Sequence, residues 1–332
     1  MVRACAPLIL CSLILTTGLS RSQATDEPFV EKDQIGNAAL VYWQAFAVLP
    51  TVPDSGFGLD FNSEDAQYVV PPEDRELLEA CQAAMNLAEL IGPETPCRWE
   101  IVADGPQTLM PHLSKARLLA RVLLSQALVD AEAQNFDRAI DRVIASMILA
   151  RNVDEGSLIN LLVAQAIETL SCSTAKTFVD DLSDESKKRL AGAVAQLPPR
   201  ATLASTMRYE KELFFGWVAN VILQEKEEAI AALKPLMGGE QLDASLLELL
   251  GQDAASKQEV IDEYSETFDR LIAAVQPEVI DQDALDVMEE EINISKNPII
   301  KSLIPGISRI SRNYAENRQQ LDTFWASLST AR

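Results

Sequence analysis

Histidine is nearly missing from this chain: His112 is the only one in 332 residues. That scarcity removes zinc sites built on histidine triads, the HExxH hydrolase motif and any relay between two imidazoles. Cysteine is scarce as well, with five residues and no CxxC pair, which excludes a zinc ribbon and a dithiol redox centre. The sequence contains neither a GxSxG nucleophile elbow nor a glycine-rich phosphate loop. Aromatic residues make up 6%, and no stretch shows the apolar–polar alternation that a substantial sheet needs. Positive charge is the last deficit, since 28 Lys and Arg face 50 Asp and Glu for a net charge of −22. Nucleic acid and anionic membrane surfaces both require a positive face, so neither is expected as a partner. The excess acid is read as a solubility feature.

What is present is helical periodicity. From about Leu113 to Asp180, three apolar-periodic segments follow one another with short polar breaks between them. Leu118, Leu119, Val122, Leu123, Ala127 and Leu128 mark the first, and Ile140, Val143, Ile144, Met147 and Ile148 the second. Leu158, Leu161, Leu162, Ala166 and Leu170 mark the third. Helices apolar over so much of their circumference must be covered by neighbours, which places the centre of the core here. The spacing predicts further helices over 34–49, with Asn37 as cap and Pro50 as stop, and from Pro72 to about residue 91. Ser183 is read as the cap of a helix stopped by Pro198-Pro199. One long helix is predicted from Leu203 to Leu233, then two near 254–275 and 281–293, and a last from Pro298 to Ala331 interrupted at Pro305-Gly306. Thr51–Pro72 reads as a long loop, 97–105 as an irregular or extended piece, and Gly238-Gly239 as a mobile turn. The expected fold is all-α, an irregular stack of antiparallel helices with a helix hairpin at its centre. Its expected organisation is a signal peptide over 1–24, a helical repeat-like domain over 25–236 and a helical C-terminal extension over 237–332.

The leader has the parts of a signal peptide: Arg3, an apolar run over Ala4–Leu15, and small residues ahead of a cut after Ala24. An ordinary spanning helix needs roughly 20 apolar residues, more than this run supplies. Export to the periplasm or the exterior is the expectation, with retention by an uncleaved N-terminal anchor as the alternative. Cutting after Ala24 removes two of the 28 basic residues, Arg3 and Arg21, and none of the 50 acidic ones, leaving −24. Cys81, Cys97 and Cys172 then remain. The break Gly92-Pro93-Glu94-Thr95-Pro96 lets the chain fold back, so Cys81 and Cys97 are open to pairing or to staying free.

No catalytic, cofactor-binding or metal-ligating residue is assigned. His112, beside Pro111 at a helix start, reads as a hydrogen-bonded cap or packing residue. Asp281, Asp283, Asp286 and Glu289–Glu291 form the densest acidic group, but a calcium loop begun at Asp281 would need glycine at Asp286 and glutamate at Ile292. These acids read as a solvated helix face. Arg208–Lys211 followed by Phe214-Phe215-Gly216-Trp217 has two readings, a groove edge where aromatics meet charge or a core-facing stripe, and helical spacing prefers the stripe. Trp43, Trp99 and Trp325 are read as packing anchors.

Ala131–Met147 resembles the turn and second helix of a tetratricopeptide repeat, with Phe136 and Ala139 in the packing positions and Gln134 where the repeat has a turn glycine. No copies recur at the repeat's spacing. The order NAALVYWQAF, PCRWEIVADG, LMPHLSKARLLARVLLSQA, AQNFDRAIDRVIASMILARNV, SLINLLVAQAIETL and LPPRATLASTMRYEKELFFGW, over residues 34–220, resembles exported all-helical proteins of planctomycete-type bacteria. That resemblance implies fold and address and no mechanism. The leading functional expectation is a non-catalytic scaffold or binding protein that holds a protein or peptide partner in a groove between helices. The alternative is a carboxylate-dependent hydrolase of cell-envelope carbohydrate. A scaffold should show an aromatic-floored groove, and an enzyme two or more acids converging in a pocket with perturbed ionisation.

Overall fold

The computed structural model describes residues 35–51, 70–154, 156–237, 242–276, 279–304 and 306–329. The leader, most of the 51–72 stretch and the Gly238-Gly239 pair lie outside the described residues. Within them the fold is all-α, with no strand.

Three long helices form the centre: α4 (Pro111–Glu132), α5 (Phe136–Val153) and α6 (Leu158–Phe178). The chain packs each of them against the other two. Their apolar faces carry Leu119, Leu123, Leu149, Ala164 and Ile167, all buried in one cluster. The turn between α4 and α5 is tight, and Gln134 takes it with φ of 59°, in the left-handed region that favours glycine. Ala139 is fully buried near the start of α5. α6 is long and apolar enough to cross a membrane by length and composition, and packing accounts for that apolarity. Leu161, Ala164, Ile167 and Leu170 are covered by neighbouring helices, and Glu168 on the same helix is ion-paired.

Before this centre come α1 (Ala38–Val48), α2 (Pro72–Ala80) and α3 (Gln82–Glu89). Asn37 caps α1, its side chain accepting from the Ala39 N–H at 3.1 Å. The helix expected from Pro72 onward is tightened at Cys81, whose N–H is shared between the Leu77 and Leu78 carbonyls, so it divides into α2 and α3. Cys81 and Cys172 are free thiols, so Cys81 is not joined to Cys97. After the centre, α7 (Asp184–Ala195) starts at Ser183 as expected, with the Ser183 Oγ accepting from the Ser186 N–H at 3.1 Å.

The helix expected over 203–233 is broken twice, into α8 (Leu203–Glu210), α9 (Gly216–Ile222) and α10 (Lys226–Leu233). A wide turn of π-helical geometry over Lys211–Phe215 separates the first two. The second break follows from a competing bond: the Gln224 carbonyl accepts from the buried Lys257 Nζ at 2.9 Å. The remaining helices are α11 (Ala244–Leu250), α12 (Ala254–Ala274), α13 (Gln282–Ile294), α14 (Pro298–Leu303) and α15 (Ile307–Ser329). One apolar cluster runs from Leu203 to Tyr314, so the core continues across position 236. α15 then returns to α6 and α7, where Leu321, Trp325 and Leu328 close a third cluster with Leu170 and Phe178.

Candidate functional site

The segment 97–110 crosses the mouth between the starts of α4 and α6, and it is tied down at several points. The Asn37 side chain donates to the Arg98 carbonyl at 3.0 Å and accepts from the Arg98 N–H at 2.9 Å. The Trp99 Nε1 donates to the Asn152 carbonyl at 2.7 Å, and the Asn152 Nδ2 donates to the Tyr42 hydroxyl at 3.1 Å. Further along, Gly105 has φ of 70° and lies under Trp217: a Cβ there would fall 2.4 Å from the indole Cδ1. Only glycine allows that approach. Glu100 sits between these ties with φ of 52°, a left-handed conformation in a non-glycine residue.

Trp99 is buried and stacked on Tyr42 (5.6 Å between ring centroids) and Phe46 (6.1 Å), with Trp43 edge-on at 5.8 Å. Its other contact is His112, at 4.6 Å with 27° between the ring planes. His112 is 2% exposed, and neither Nδ1 nor Nε2 has a hydrogen-bond partner. Burial lowers its pKa from 6.5 to about 4, because the charged imidazolium loses more hydration than the neutral ring. Of the two expected readings, hydrogen-bonded cap or packing residue, the packing one holds. His112 is a packed, neutral ring with its polar edge unused.

That ring borders a cleft of about 350 Å³, whose walls include Trp99, Ile101, Met110, Gly156, Asn160 and Tyr209. Gly156 has φ of 98°, and a Cβ there would meet the Tyr209 ring at 3.2 Å, so the glycine makes room for the tyrosine. α6 is oriented at the cleft by Glu210, which accepts from the Leu158 N–H at 2.6 Å. Burial raises the Glu210 pKa. Val102, Leu109 and Ile159 are exposed large apolar residues on the segments that carry the cleft walls. A second cleft of about 450 Å³ lies against Pro93–Cys97 and Gln196–Pro199. Of its polar lining side chains, Arg151 and Asn152 are engaged with Glu168 and Tyr42 and Thr95 with the Gly92 N–H, while Glu94 and Gln196 also border it.

The acids cluster elsewhere. Glu168 (3% exposed) pairs with Arg151 at 2.7 Å and Arg200 at 2.9 Å, and Arg200 also reaches Asp322 at 2.6 Å. Asp154 accepts from the Ala201 N–H at 2.7 Å. Burial raises its pKa to about 7, against the lowering effects of that bond and of the two arginines. The space bordered by Asp154, Glu168 and Arg200 is only about 10 Å³. Another buried cation, Arg142, pairs with Glu89 at 2.5 Å and lies 3.7 Å from Asp130. Among the described residues no three His, Cys, Asp or Glu side chains converge as metal ligands.

The residues weighed from the sequence separate as follows. Asp281 caps α13 by accepting from the Ala284 N–H at 3.0 Å, Asp286 accepts from Ser308 and Arg312, and Glu291 pairs with Arg270. Phe214, Phe215 and Trp217 pack on the second core, whereas Tyr209 lines the cleft. Trp99 is an anchor and a cleft wall at once, and Trp325 is buried in the third cluster. Sequence reasoning missed Gly156, Asn160 and Met110. The available signal was the meeting of the lone histidine with an irregular Trp- and Gly-bearing segment just before it. In comparisons with known proteins, no family model, no curated protein and no solved structure matches this chain.

Proposed function

We propose that this is an exported, non-catalytic binding protein that holds a segment of a partner protein or peptide in the cleft beside His112. The observation that carries this reading is a cleft of about 350 Å³ with an aromatic wall and a buried imidazole that has no partner. Val102 and Leu109 add exposed apolar surface on the segment that carries the cleft wall. The exported address rests on the leader over 1–24, and the resemblance to exported helical proteins agrees with it.

The second reading, a carboxylate-dependent hydrolase of envelope carbohydrate, needs two acids converging where a sugar ring fits. Asp154 and Glu168 are the buried acids with a neighbouring space, and that space admits one water at most by its volume of about 10 Å³. Glu168 is also engaged by two arginines. These points favour binding over hydrolysis.

The test is affinity capture from the native envelope fraction at two salt concentrations, comparing the wild-type chain with the double variant Val102→Ser, Leu109→Ser. Both positions are more than 80% exposed, so the variant is expected to fold normally, as circular dichroism will check. A partner held by the wild type and lost by the variant is the expected result. Equal retention by both, or no retention together with hydrolysis of envelope glycan, overturns the proposal.

A further inference from the structure

We infer that the cleft recognises a neutral carboxamide, as carried by an Asn or Gln side chain of the bound segment. The inference rests on the binding reading above and adds the chemistry of the recognised group. It starts from which polar groups around the cleft are already in use. The Thr108 hydroxyl donates to the Gly105 carbonyl at 2.6 Å and accepts from the Asp104 N–H at 2.8 Å, so its proton is spent and one lone pair remains. Asn160 donates one N–H to the Val153 carbonyl at 3.1 Å and accepts from the Ser157 Oγ at 2.6 Å, which leaves one N–H and one lone pair. His112 uses neither nitrogen. As a neutral ring it offers one N–H and one bare nitrogen. The capacity left on these three side chains thus includes both donors and acceptors.

A carboxamide presents both kinds of group on one plane. A carboxylate presents acceptors only, which leaves the bare imidazole nitrogen without a donor, and it brings negative charge to a chain of net −22. An ammonium presents donors only. The charged side chains lining the cleft, Arg98 and Glu100, are both exposed and opposite in sign, so they select neither ion. The walls also suit a flat group, because Trp99 stacks on His112 and the Tyr209 ring lies over Gly156. Both imidazole nitrogens are covered in the free chain, so entry requires a lining side chain to move. Met110 lines the cleft, partly buried and unbranched, with its Sδ accepting from the Ser157 Oγ at 3.8 Å, a weak contact that leaves it able to move.

The test uses the fact that His112 is the sole histidine, so its ring nitrogen signals need no assignment. The full chain, free of any histidine tag and labelled with ¹⁵N-histidine, is titrated with propionamide and, separately, with propionate. The expected result is a saturable shift with propionamide, with Kd of about 10 mM as befits so small a probe, and binding of propionate at least about tenfold weaker. Propionate binding as well as the amide, or no saturable shift with propionamide, overturns the inference. Thermal calorimetry of H112F under the same amide is the second measurement: a folded variant whose melting no longer responds supports it, and an undiminished response overturns it. Propionamide binding without any captured partner upholds the carboxamide chemistry while removing the peptide reading.

Discussion

Two buried polar sites lie on one helix, and they are opposites. At the start of α6, the cleft beside Asn160 has room and an imidazole that bonds to nothing. Further along the same helix, Glu168 has two arginine partners and almost no space around it. Both sites incur the desolvation cost of burying polar groups. The Glu168 cluster recovers it inside the fold, by clamping α5, the chain entering α8, and α15 through Arg151, Arg200 and Asp322. The His112 ring nitrogens recover none of it through hydrogen bonds in the folded chain. Saturated polar groups hold a structure together, whereas an unsatisfied one beside a cleft costs stability, a cost that the proposed recognition role would explain.

The comparison breaks most sharply at Glu168. Replacing it by alanine leaves Arg151 and Arg200 buried without their shared anion, a change that costs about 3–5 kcal/mol in comparable buried pairs. Chemical denaturation of Glu168→Ala should show a loss of that order. A loss below about 1 kcal/mol, the level of an exposed ion pair, would mean that the cluster holds nothing together.

The next effect is a pair of opposite pH dependences. The Asp154 pKa is raised to about 7 from 3.8, so its contribution to stability is fully present below about 4 and is lost as pH rises through 7. The His112 pKa is lowered to about 4 from 6.5, so its contribution is present above 6.5 and is lost as pH falls through 4. Each group changes the unfolding free energy by up to about 1.4 kcal/mol per pH unit between its two pKa values. Between pH 6.5 and 4 the two slopes oppose each other in the wild type. Asp154→Asn should lose stability more steeply than the wild type on acidification from pH 7 to 4, and H112F less steeply. Parallel denaturation curves for all three proteins across that range would contradict both assignments.

The smallest effect sharpens the comparison by lying in neither site. Gln134 holds a left-handed turn between α4 and α5 without glycine's freedom. Gln134→Gly should stabilise the chain by about 0.5–1 kcal/mol, read as a higher melting temperature, with the response of His112 to propionamide unchanged.

Much of this frame was legible in the residues. The apolar spacing located α4, α5 and α6, and the Asn37 and Ser183 caps fell where side-chain chemistry put them, because these are local signals. The breaks in the 203–233 stretch were not legible. One depends on Lys257, over thirty residues away, taking the Gln224 carbonyl, and no local rule reports that. The site was half visible. His112 and Trp99 stood out by type, but their stacking, the emptiness of both ring nitrogens and the joining of Gly156, Asn160 and Tyr209 at one cleft arise from tertiary packing. Whether Cys81 and Cys97 are joined was likewise open until the fold placed them.

The contrast between a saturated ionic cluster and an unpartnered imidazole is tested most directly by the ionisation of His112 itself. Its ring signals, followed by NMR from pH 8 down to the acid unfolding limit, give one unambiguous titration curve. The account predicts a midpoint at about 4, the mark of a buried ring with no anion and no acceptor to stabilise its charge. A midpoint at or above the ordinary value of 6.5 would show a solvated or paired imidazole, and the basis for the cleft as a recognition site would be gone.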